Sequence, residues 1–213
     1  MKDDFKQQGR RKQLIETVKE KGVSDEKVLT GLNKIPRHLF MDSSFEDHAY
    51  QDKAFPIAAG QTISQPFTVA FQTQLLEVKP GDKILEVGTG SGYQTALLCE
   101  LKAKVYSIER QLELYKKTKL FLDKIGYRPK HLAYGDGYKG IPSYAPFDKI
   151  IVTAGAPEIP KKLLGQLKIN GKMVIPLGEE NQIMTLITRT GEKKFEQKEF
   201  GGFRFVPLLR DMV

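Results

Sequence analysis

The chain of 213 residues contains 40% hydrophobic and 28% charged residues, a balance that is typical of a globular protein and excludes a disordered chain. No apolar run approaches the ~18 residues of a membrane-spanning helix, and the first residues lack the apolar stretch of a secretory signal, so we expect no membrane partner. The net charge of +8 permits nucleic-acid binding, but the lysines are scattered and no aromatic residues alternate with them, which favours a solvated basic surface.

The cysteine and the histidines give few indications of function. Cys99 is the single cysteine, which excludes a disulfide within the chain and favours a reducing, cytoplasmic location. Its apolar neighbours indicate a core residue rather than a nucleophile. His38, His48 and His131 lack the spacing of metal ligands, so we expect no metal site.

The N-terminal part predicts two helices followed by an irregular arm. Apolar residues recur at helical spacing within the first twenty positions, and Ser24-Asp25-Glu26 supplies a capping residue and two acids before the second helix. Pro36 should end that helix. Residues 36 to 63 show little periodicity and are interpreted as an ordered arm. We expect residues 1 to 60 to pack on a core formed by residues 61 to 213.

From Lys83 onwards, short apolar runs alternate with helical segments. This alternation predicts an α/β fold with a doubly wound, mostly parallel sheet and helices on both faces. The last two strands follow each other without a long helix, so they should pair antiparallel at one edge. The predicted strands are 83–87, 104–109, 131–134, 147–153, 171–176, 183–188 and 203–208, with helices near 93–101, 112–121 and 161–167.

A glycine-rich loop, EVGTGSGY at residues 86 to 93, follows the first of these strands and opens a helix. Glycines at positions 88, 90 and 92 suit a tight turn and close approach of the backbone to a ligand. The dinucleotide fingerprint G-x-G-x-x-G is not met because position 93 is Tyr, and no Walker A sequence is present. The spacing E-x-G-x-G-x-G instead resembles motif I of the S-adenosylmethionine-dependent methyltransferases.

Acidic residues at the ends of the strands agree with that resemblance, because ligands of such sheets bind beyond the carboxyl ends of the strands. Glu109 closes the second strand, where a carboxylate can accept hydrogen bonds from both ribose hydroxyls. Asp136 could accept from an adenine amino group, and Glu86 either faces the methionine ammonium group or supports the loop. The cofactor-binding residues predicted in this region are Glu86, Gly88, Gly90, Gly92, Glu109, Arg110, Asp136 and Gly137.

Seven segments together resemble one family, the protein-L-isoaspartate (D-aspartate) O-methyltransferases. They are IPRHLF at 35–40, GQTISQP at 60–66, EVGTGSGYQTA at 86–96, VYSIER at 105–110, GDG at 135–137, APFDKIIVTAGAPEIP at 145–160 and RFVPL at 204–208. Many methyltransferases share the motif I glycines, whereas GQTISQP, the long block and RFVPL are specific. Gly155 departs from the family pattern, in which alanine is frequent, and so does Leu209-Arg210.

The resemblance implies methyl transfer from S-adenosylmethionine to the α-carboxylate of an L-isoaspartyl residue in a damaged protein or peptide, leaving S-adenosylhomocysteine. It places Gln61, Thr62, Ile63 and Ser64 between cofactor and substrate and marks Ser64 as the active-site residue. We expect the Ser64 hydroxyl to orient the carboxylate or the sulfonium. Ser64 is also predicted to cap the next helix, whose N-terminus suits a carboxylate and whose buried stripe should be Phe67, Ala70, Phe71, Leu75 and Val78.

Other functions remain as alternatives. An RNA methyltransferase would use the same core, but the position after the fourth strand reads TAGAPEIP instead of the motif of amino-methylating enzymes. A small-molecule methyltransferase does not account for GQTISQP, and the intact set of Gly88, Glu109 and Asp136 disfavours a binding domain without activity. We expect a monomer that acts on isoaspartyl proteins and binds no nucleic acid.

Overall fold

The N-terminal part of the computed structural model, which describes residues 3 to 213, forms two helices and an arm. Asp25 caps the second helix by accepting hydrogen bonds from the backbone N–H groups of Lys27 and Val28, and the helix ends before Pro36. The helix end before Pro36 confirms the sequence prediction, whereas the capping residue is Asp25 and not Ser24, because the Asp25 carboxylate accepts from the free N–H groups of the first turn. The elements are α1 (Phe5–Glu20), α2 (Glu26–Lys34), three-residue to six-residue 3-10 turns at 37–40, 43–48 and 58–60, and a short ribbon of β1 (Phe55–Pro56) and β2 (Thr62–Ile63).

A seven-stranded mixed sheet forms the centre of the described residues, with strand order β5-β4-β3-β6-β7-β8-β9. The first five of these strands are parallel, and β8 and β9 are antiparallel to their neighbours. The predicted doubly wound sheet with an antiparallel edge is confirmed. The strands are β3 (Lys83–Val87), β4 (Lys104–Glu109), β5 (His131–Tyr134), β6 (Phe147–Val152), β7 (Leu167–Leu177), β8 (Gln182–Arg189) and β9 (Phe195–Phe203), and the helices are α3 (Pro66–Leu76), α4 (Tyr93–Glu100), α5 (Leu112–Lys124) and α6 (Lys161–Gly165).

The last strand differs from its prediction. The sequence favoured 203–208, whereas the structure pairs β8 with β9, and the following segment leaves the sheet. β9 is an edge strand whose residues are largely exposed, so it lacks the apolar run that marks a buried strand. The backbone of residues 206 to 208 instead bonds to Gly155, with Gly155 N–H donating to the Val206 carbonyl at 2.8 Å and Leu208 N–H to the Gly155 carbonyl at 2.7 Å.

Gly155 has a steric reason to lack a side chain. A Cβ atom at this position would lie 2.8 Å from the side chain of Gln182. Gln182 is buried, and its Oε1 accepts a hydrogen bond from the Phe205 N–H at 2.9 Å. Gly155 therefore makes room for a glutamine that fixes the start of the segment after β9.

Helix α3 does not bury the predicted stripe. Ala70 and Val78 are buried, but Phe67, Phe71 and Leu75 are only half-buried. The two phenylalanines stack with Phe203 of β9, at ring centroid distances of 6.2 and 5.5 Å. The buried face instead combines the apolar Val69, Ala70 and Leu76 with polar residues. Among these, Gln72 donates to the Val152 carbonyl at 3.0 Å, and Thr73 Oγ1 accepts from Gln94 of α4 at 2.9 Å.

The N-terminal helices share one hydrophobic core with the sheet. Leu14, Val18 and Leu29 belong to the same buried cluster as Ile84 and Val105. Burial raises the pKa of the Cys99 thiol to about 12, so this thiol stays protonated at neutral pH, as a core residue should. Among residues 3 to 213, no helix is both long and apolar enough to cross a membrane.

Candidate active site

A cleft opens beyond the carboxyl ends of β3, β4 and β6, where the order of the parallel strands reverses direction. This is the position at which open α/β sheets bind ligands. The cleft is partly open to solvent. Its wall is formed by residues 61 to 64, Val69 and Gln72 of α3, residues 87 to 91, Tyr93, Gln94, residues 108 to 110, Gly137, residues 153 and 154, and residues 206 to 209.

The glycine loop adopts a backbone that only glycine enters readily. Gly88, Gly90 and Gly92 have φ angles of +96°, +53° and +85°. A Cβ atom on Gly88 would overlap Thr153 Oγ1, and one on Gly92 would lie 2.9 Å from Thr118. A Cβ on Gly90 would meet only Ile57, at 3.8 Å, so this residue keeps the loop backbone open toward the cleft.

Glu109 fixes the loop from the neighbouring strand. Its Oε2 accepts a hydrogen bond from Gly90 N–H at 2.9 Å, and its Oε1 accepts one from Gln111 N–H at 2.9 Å. The residue is 5% exposed and lines the cleft. Because each carboxylate oxygen has two acceptor sites, both oxygens can still accept a hydroxyl from a ligand.

Nine of the predicted cofactor-binding residues line the cleft and three do not. Glu86 lies beneath the loop with no exposed surface, and Gly92 is buried at the start of α4. Asp136 lines an adjoining cavity, where its Oδ1 accepts from Tyr138 N–H at 2.9 Å. The nine lining residues are Gln61, Thr62, Ile63, Ser64, Gly88, Gly90, Glu109, Arg110 and Gly137.

Ser64 lies where the cleft meets a second depression, which we call the groove. The groove is lined by Lys21, Ala54, Thr62, Ser64, Gln65, Phe67, Thr68, Thr153, Asn181 and residues 202 to 206. Thr62, Ser64, Thr153 and Val206 line both cavities. A ligand in the cleft and a second ligand in the groove would therefore meet at Ser64 and its neighbours.

The predicted capping role of Ser64 is wrong. Helix α3 begins at Pro66, Gln65 occupies the capping position, and no side chain within this turn caps the helix. The N–H of Phe67 instead donates to Oδ1 of Asp52 at 2.8 Å. A carboxylate from the arm thus occupies the helix start, a partner that local sequence could not reveal because it lies fifteen residues away.

Comparison with known proteins decides the family. The family model of protein-L-isoaspartate (D-aspartate) O-methyltransferase matches residues 9–212.

The chain belongs to this family.

Similar proteins of the family come from several bacteria. The protein-L-isoaspartate O-methyltransferase of Christiangramia forsetii is 72% identical over 211 residues, covering 99% of both chains. The corresponding protein of Flavobacterium psychrophilum is 68% identical over 211 residues, again covering 99% of both. The recognition made from the sequence motifs is confirmed.

Solved structures of the family share the fold. A protein-L-isoaspartate O-methyltransferase from Plasmodium falciparum, in complex with S-adenosyl-L-homocysteine, superposes with a TM-score of 0.82 at 25% identity and covers 94% of this chain and 99% of that one. A second protein-L-isoaspartate O-methyltransferase superposes with a TM-score of 0.83 at 27% identity, covering 92% of this chain and 65% of the other.

In this methyltransferase, the fully buried Glu86 carboxylate is tied to α4, the helix that follows the glycine loop. Thr95 Oγ1 donates to its Oε2 at 2.6 Å, and Ser107, which is hydrogen-bonded to Thr89 at 2.6 Å, lies nearby. Burial raises the pKa of Glu86 from its ordinary value of 4.5 to about 7, although hydrogen bonds from both hydroxyls lower it in part. The geometry favours the supporting role among the two that the sequence left open.

Glu86→Gln is expected to reduce the pH dependence of stability. In the native state Glu86 retains its proton between pH 4.5 and about 7, whereas the unfolded state releases it. The folded state is therefore favoured below this window and loses that advantage as pH rises through 7. Denaturant titrations at pH 5 and 8.5 measure the free energy of unfolding of both proteins. Between the lower and the higher pH, this free energy should rise by about 3 kcal/mol in the variant relative to the parent. If the free energies of unfolding of the two proteins changed equally with pH, Glu86 would be ionised at both pH values and the prediction would be wrong.

Sequence reasoning missed several residues of the cleft. Thr153 and Ala154 follow β6, and the rule that ligands bind at strand ends could have identified them. Thr153 Oγ1 donates to the carbonyl of Gly88 at 2.7 Å and so joins two walls of the cleft. Gln72 and Gln94 carried no sequence signal, because polar residues within a helix are usually solvated.

The segment after β9 closes the opposite side of the cleft. Leu208 and Leu209 line it, and the Tyr138 hydroxyl donates to the Leu208 carbonyl at 3.2 Å. The Nε of Arg110 donates to the Asp211 carbonyl at 2.9 Å. Arg110, predicted as a cofactor residue, thus also orders this segment across the rim.

Proposed function

We propose that Ser64 and the loop around it carry the family reaction in this chain. The enzyme is a protein-L-isoaspartate O-methyltransferase, which uses S-adenosylmethionine to methylate isoaspartyl residues in damaged proteins. The residue-level assignment rests on one observation: the Ser64 segment lines both the cleft and the groove. Donor and acceptor can therefore meet there from opposite sides.

The residues of the cleft fit the cofactor. When bound, S-adenosylmethionine supplies a methyl group on a positively charged sulfur. Glu109 retains free acceptor sites for two ribose hydroxyls, and the open backbone at Gly90 permits close approach. Gly137 borders the same cavity and offers its backbone to the adenine. We assign no direct contact to Glu86 or Gly92, and Asp136 requires a ligand that reaches into the adjoining cavity.

The acceptor needs orientation rather than activation. A free carboxylate is ionised at pH 7, so no general base is required. In the proposed arrangement the Ser64 hydroxyl donates a hydrogen bond to this carboxylate, and Ile63, Val69 and Val206 exclude water around it. Alignment of two reactants can lower a barrier by ~7 to 11 kcal/mol. The opposite charges of donor and acceptor cancel on methyl transfer, which also favours a dry site.

A matched pair of peptides tests this function. The two peptides differ only in one L-isoaspartyl versus one L-aspartyl linkage, and each is incubated with the enzyme and methyl-labelled S-adenosylmethionine. Label should enter the isoaspartyl peptide alone. Equal or absent labelling would contradict the assignment, and transfer to added RNA would support the alternative of an RNA methyltransferase.

We also propose that the enzyme acts as a monomer in the cytoplasm, without a nucleic-acid partner. The single, protonated cysteine agrees with a reducing compartment. Sedimentation of the purified enzyme with and without RNA would test the monomeric state and the absence of RNA binding.

A further inference from the structure

The segment that carries Ser64 is anchored by the carboxylate of Asp52. Oδ1 of Asp52 accepts from Phe67 N–H at 2.8 Å, and Oδ2 accepts from Gln65 Nε2 at 2.9 Å. Pro66 has no N–H, so Phe67 offers the first free donor of α3. The Asp52 side chain is only 6% exposed, and its partners Lys21, Gln65 and Phe67 all line the groove. One carboxylate therefore fixes both the capping residue and the first turn directly after Ser64.

Two cations hold Asp52 itself in place. Lys21, at the end of α1, places its Nζ 2.6 Å from Oδ2 of Asp52. The fully buried Arg37 donates from Nε to the Ala49 carbonyl at 3.0 Å and from Nη2 to the Lys53 carbonyl at 3.1 Å. These carbonyls bracket Asp52 in sequence. The N-terminal helices and the arm thereby determine where the Asp52 carboxylate lies.

Arg37 also contacts Tyr93, which lines the cleft. Its guanidinium lies 4.8 Å from the ring centroid of Tyr93, the residue that follows the glycine loop. The far end of α3 is tied to the N-terminal part as well, because Gln74 Oε1 accepts from Ser24 N–H at 2.7 Å and from Asp25 N–H at 2.8 Å. The N-terminal part thus holds α3 at both ends.

We propose that Asp52 is a positioning residue that sets the location of the Ser64 hydroxyl, and that Lys21 neutralises Asp52 so that an anionic acceptor can enter the groove. The inference rests on the role proposed above for Ser64. Asp52 occupies the helix N-terminus that would otherwise attract the acceptor carboxylate, which leaves the Ser64 hydroxyl to receive it. An unneutralised Asp52 beside the groove would repel a second carboxylate.

Asp52→Asn tests the positioning role, because the amide still accepts from Phe67 but presents N–H groups to Gln65 and Lys21. We expect kcat for an isoaspartyl peptide to fall roughly tenfold or more, since small misplacements of reacting groups are costly. Lys21→Met should instead raise KM and leave kcat nearly unchanged. Asp148→Asn is the matched control: Asp148 accepts from Lys83 N–H at 2.8 Å and from Lys168 Nζ at 2.6 Å, away from the cleft, and should leave both constants unchanged.

Amide hydrogen exchange gives a readout that does not depend on activity. In Asp52→Asn, peptides that cover residues 62 to 69 should exchange faster, while those that cover residues 84 to 92 keep the parent rate. Unchanged exchange in both regions, or equal acceleration in both, would overturn the positioning role. If the parent enzyme labels no isoaspartyl peptide, the proposed function fails, but the exchange result still decides whether Asp52 anchors the segment.

A double variant shows whether Asp52 acts through Ser64. In a Ser64→Ala background, Asp52→Asn should reduce kcat by less than about twofold, because the group that it positions is already absent. If Asp52→Asn lowered kcat in the Ser64→Ala background as much as it does alone, the inference would be contradicted. Catalytic constants are compared per folded enzyme, well below the melting temperature of each variant, so that a loss of stability alone produces no change.

Discussion

Glu109→Gln should weaken binding of S-adenosylhomocysteine by about 100-fold, because the amide group replaces an acceptor that already serves the backbone. In the parent, the two carboxylate oxygens accept from Gly90 and Gln111 and remain available to ribose hydroxyls. The amide NH2 would face one of these N–H donors, so the variant loses a charged hydrogen bond and leaves the loop less well fixed. Isothermal titration with S-adenosylhomocysteine measures the effect directly.

Glu113→Gln provides the control for this experiment. Glu113 lies on the exposed first turn of α5 and does not line the cleft. Its replacement by Gln is therefore the same chemical change at a site away from the cofactor. Its dissociation constant should match that of the parent. A Glu109→Gln constant within about threefold of the parent would show that this carboxylate does not hold the cofactor.

Ser64→Ala should lower kcat/KM for an isoaspartyl peptide by about 10-fold to 100-fold, the cost of one hydrogen bond to a charged group. The melting temperature should not change, since Asp52 rather than Ser64 caps α3. A thermal scan and steady-state kinetics on the same preparation would separate the two effects. The combination of lost turnover and unchanged stability is specific to a residue that acts on the substrate.

Ser91→Ala is the matched serine variant. Ser91 also lines the cleft, but it lies in the glycine loop and does not border the groove. Its kcat/KM should stay within about threefold of the parent. Full turnover in Ser64→Ala would refute the proposed role, and equal losses in both variants would indicate a general disturbance of the cleft.

The parallel half of the sheet was largely predictable because its central strands, β3 and β6, are buried on both faces. The bounds predicted for 83–87, 104–109 and 131–134 agree with the structure residue by residue. Burial on both faces produces continuous apolar runs, and glycines or acids mark their ends. β9 lacks this signal because it is exposed at the edge, and the apolar RFVPL run that follows it contacts Gly155 and the cleft instead.

The site was predictable where its chemistry is local in sequence. The glycine loop and Glu109 each lie at a strand end, so their position follows from the topology. The link between Asp52 and Phe67 spans fifteen residues and depends on how the arm folds, which no periodic pattern encodes. The buried polar residues of α3 were missed for the same reason, since Gln72 and Thr73 are hydrogen-bonded to distant partners, the Val152 carbonyl and Gln94.

The close fit between Gly155 and Gln182 constrains how this enzyme can diverge. Alanine at position 155 requires the glutamine to move or shrink, because the new Cβ would lie 2.8 Å from it. The order of substitutions therefore matters. If Gln182 is replaced first, alanine fits at position 155, whereas alanine at position 155 beside Gln182 would displace the segment that closes the cleft. The two positions should be inherited as a linked pair, and an alignment of relatives that carry alanine at 155 should show residues other than glutamine at 182.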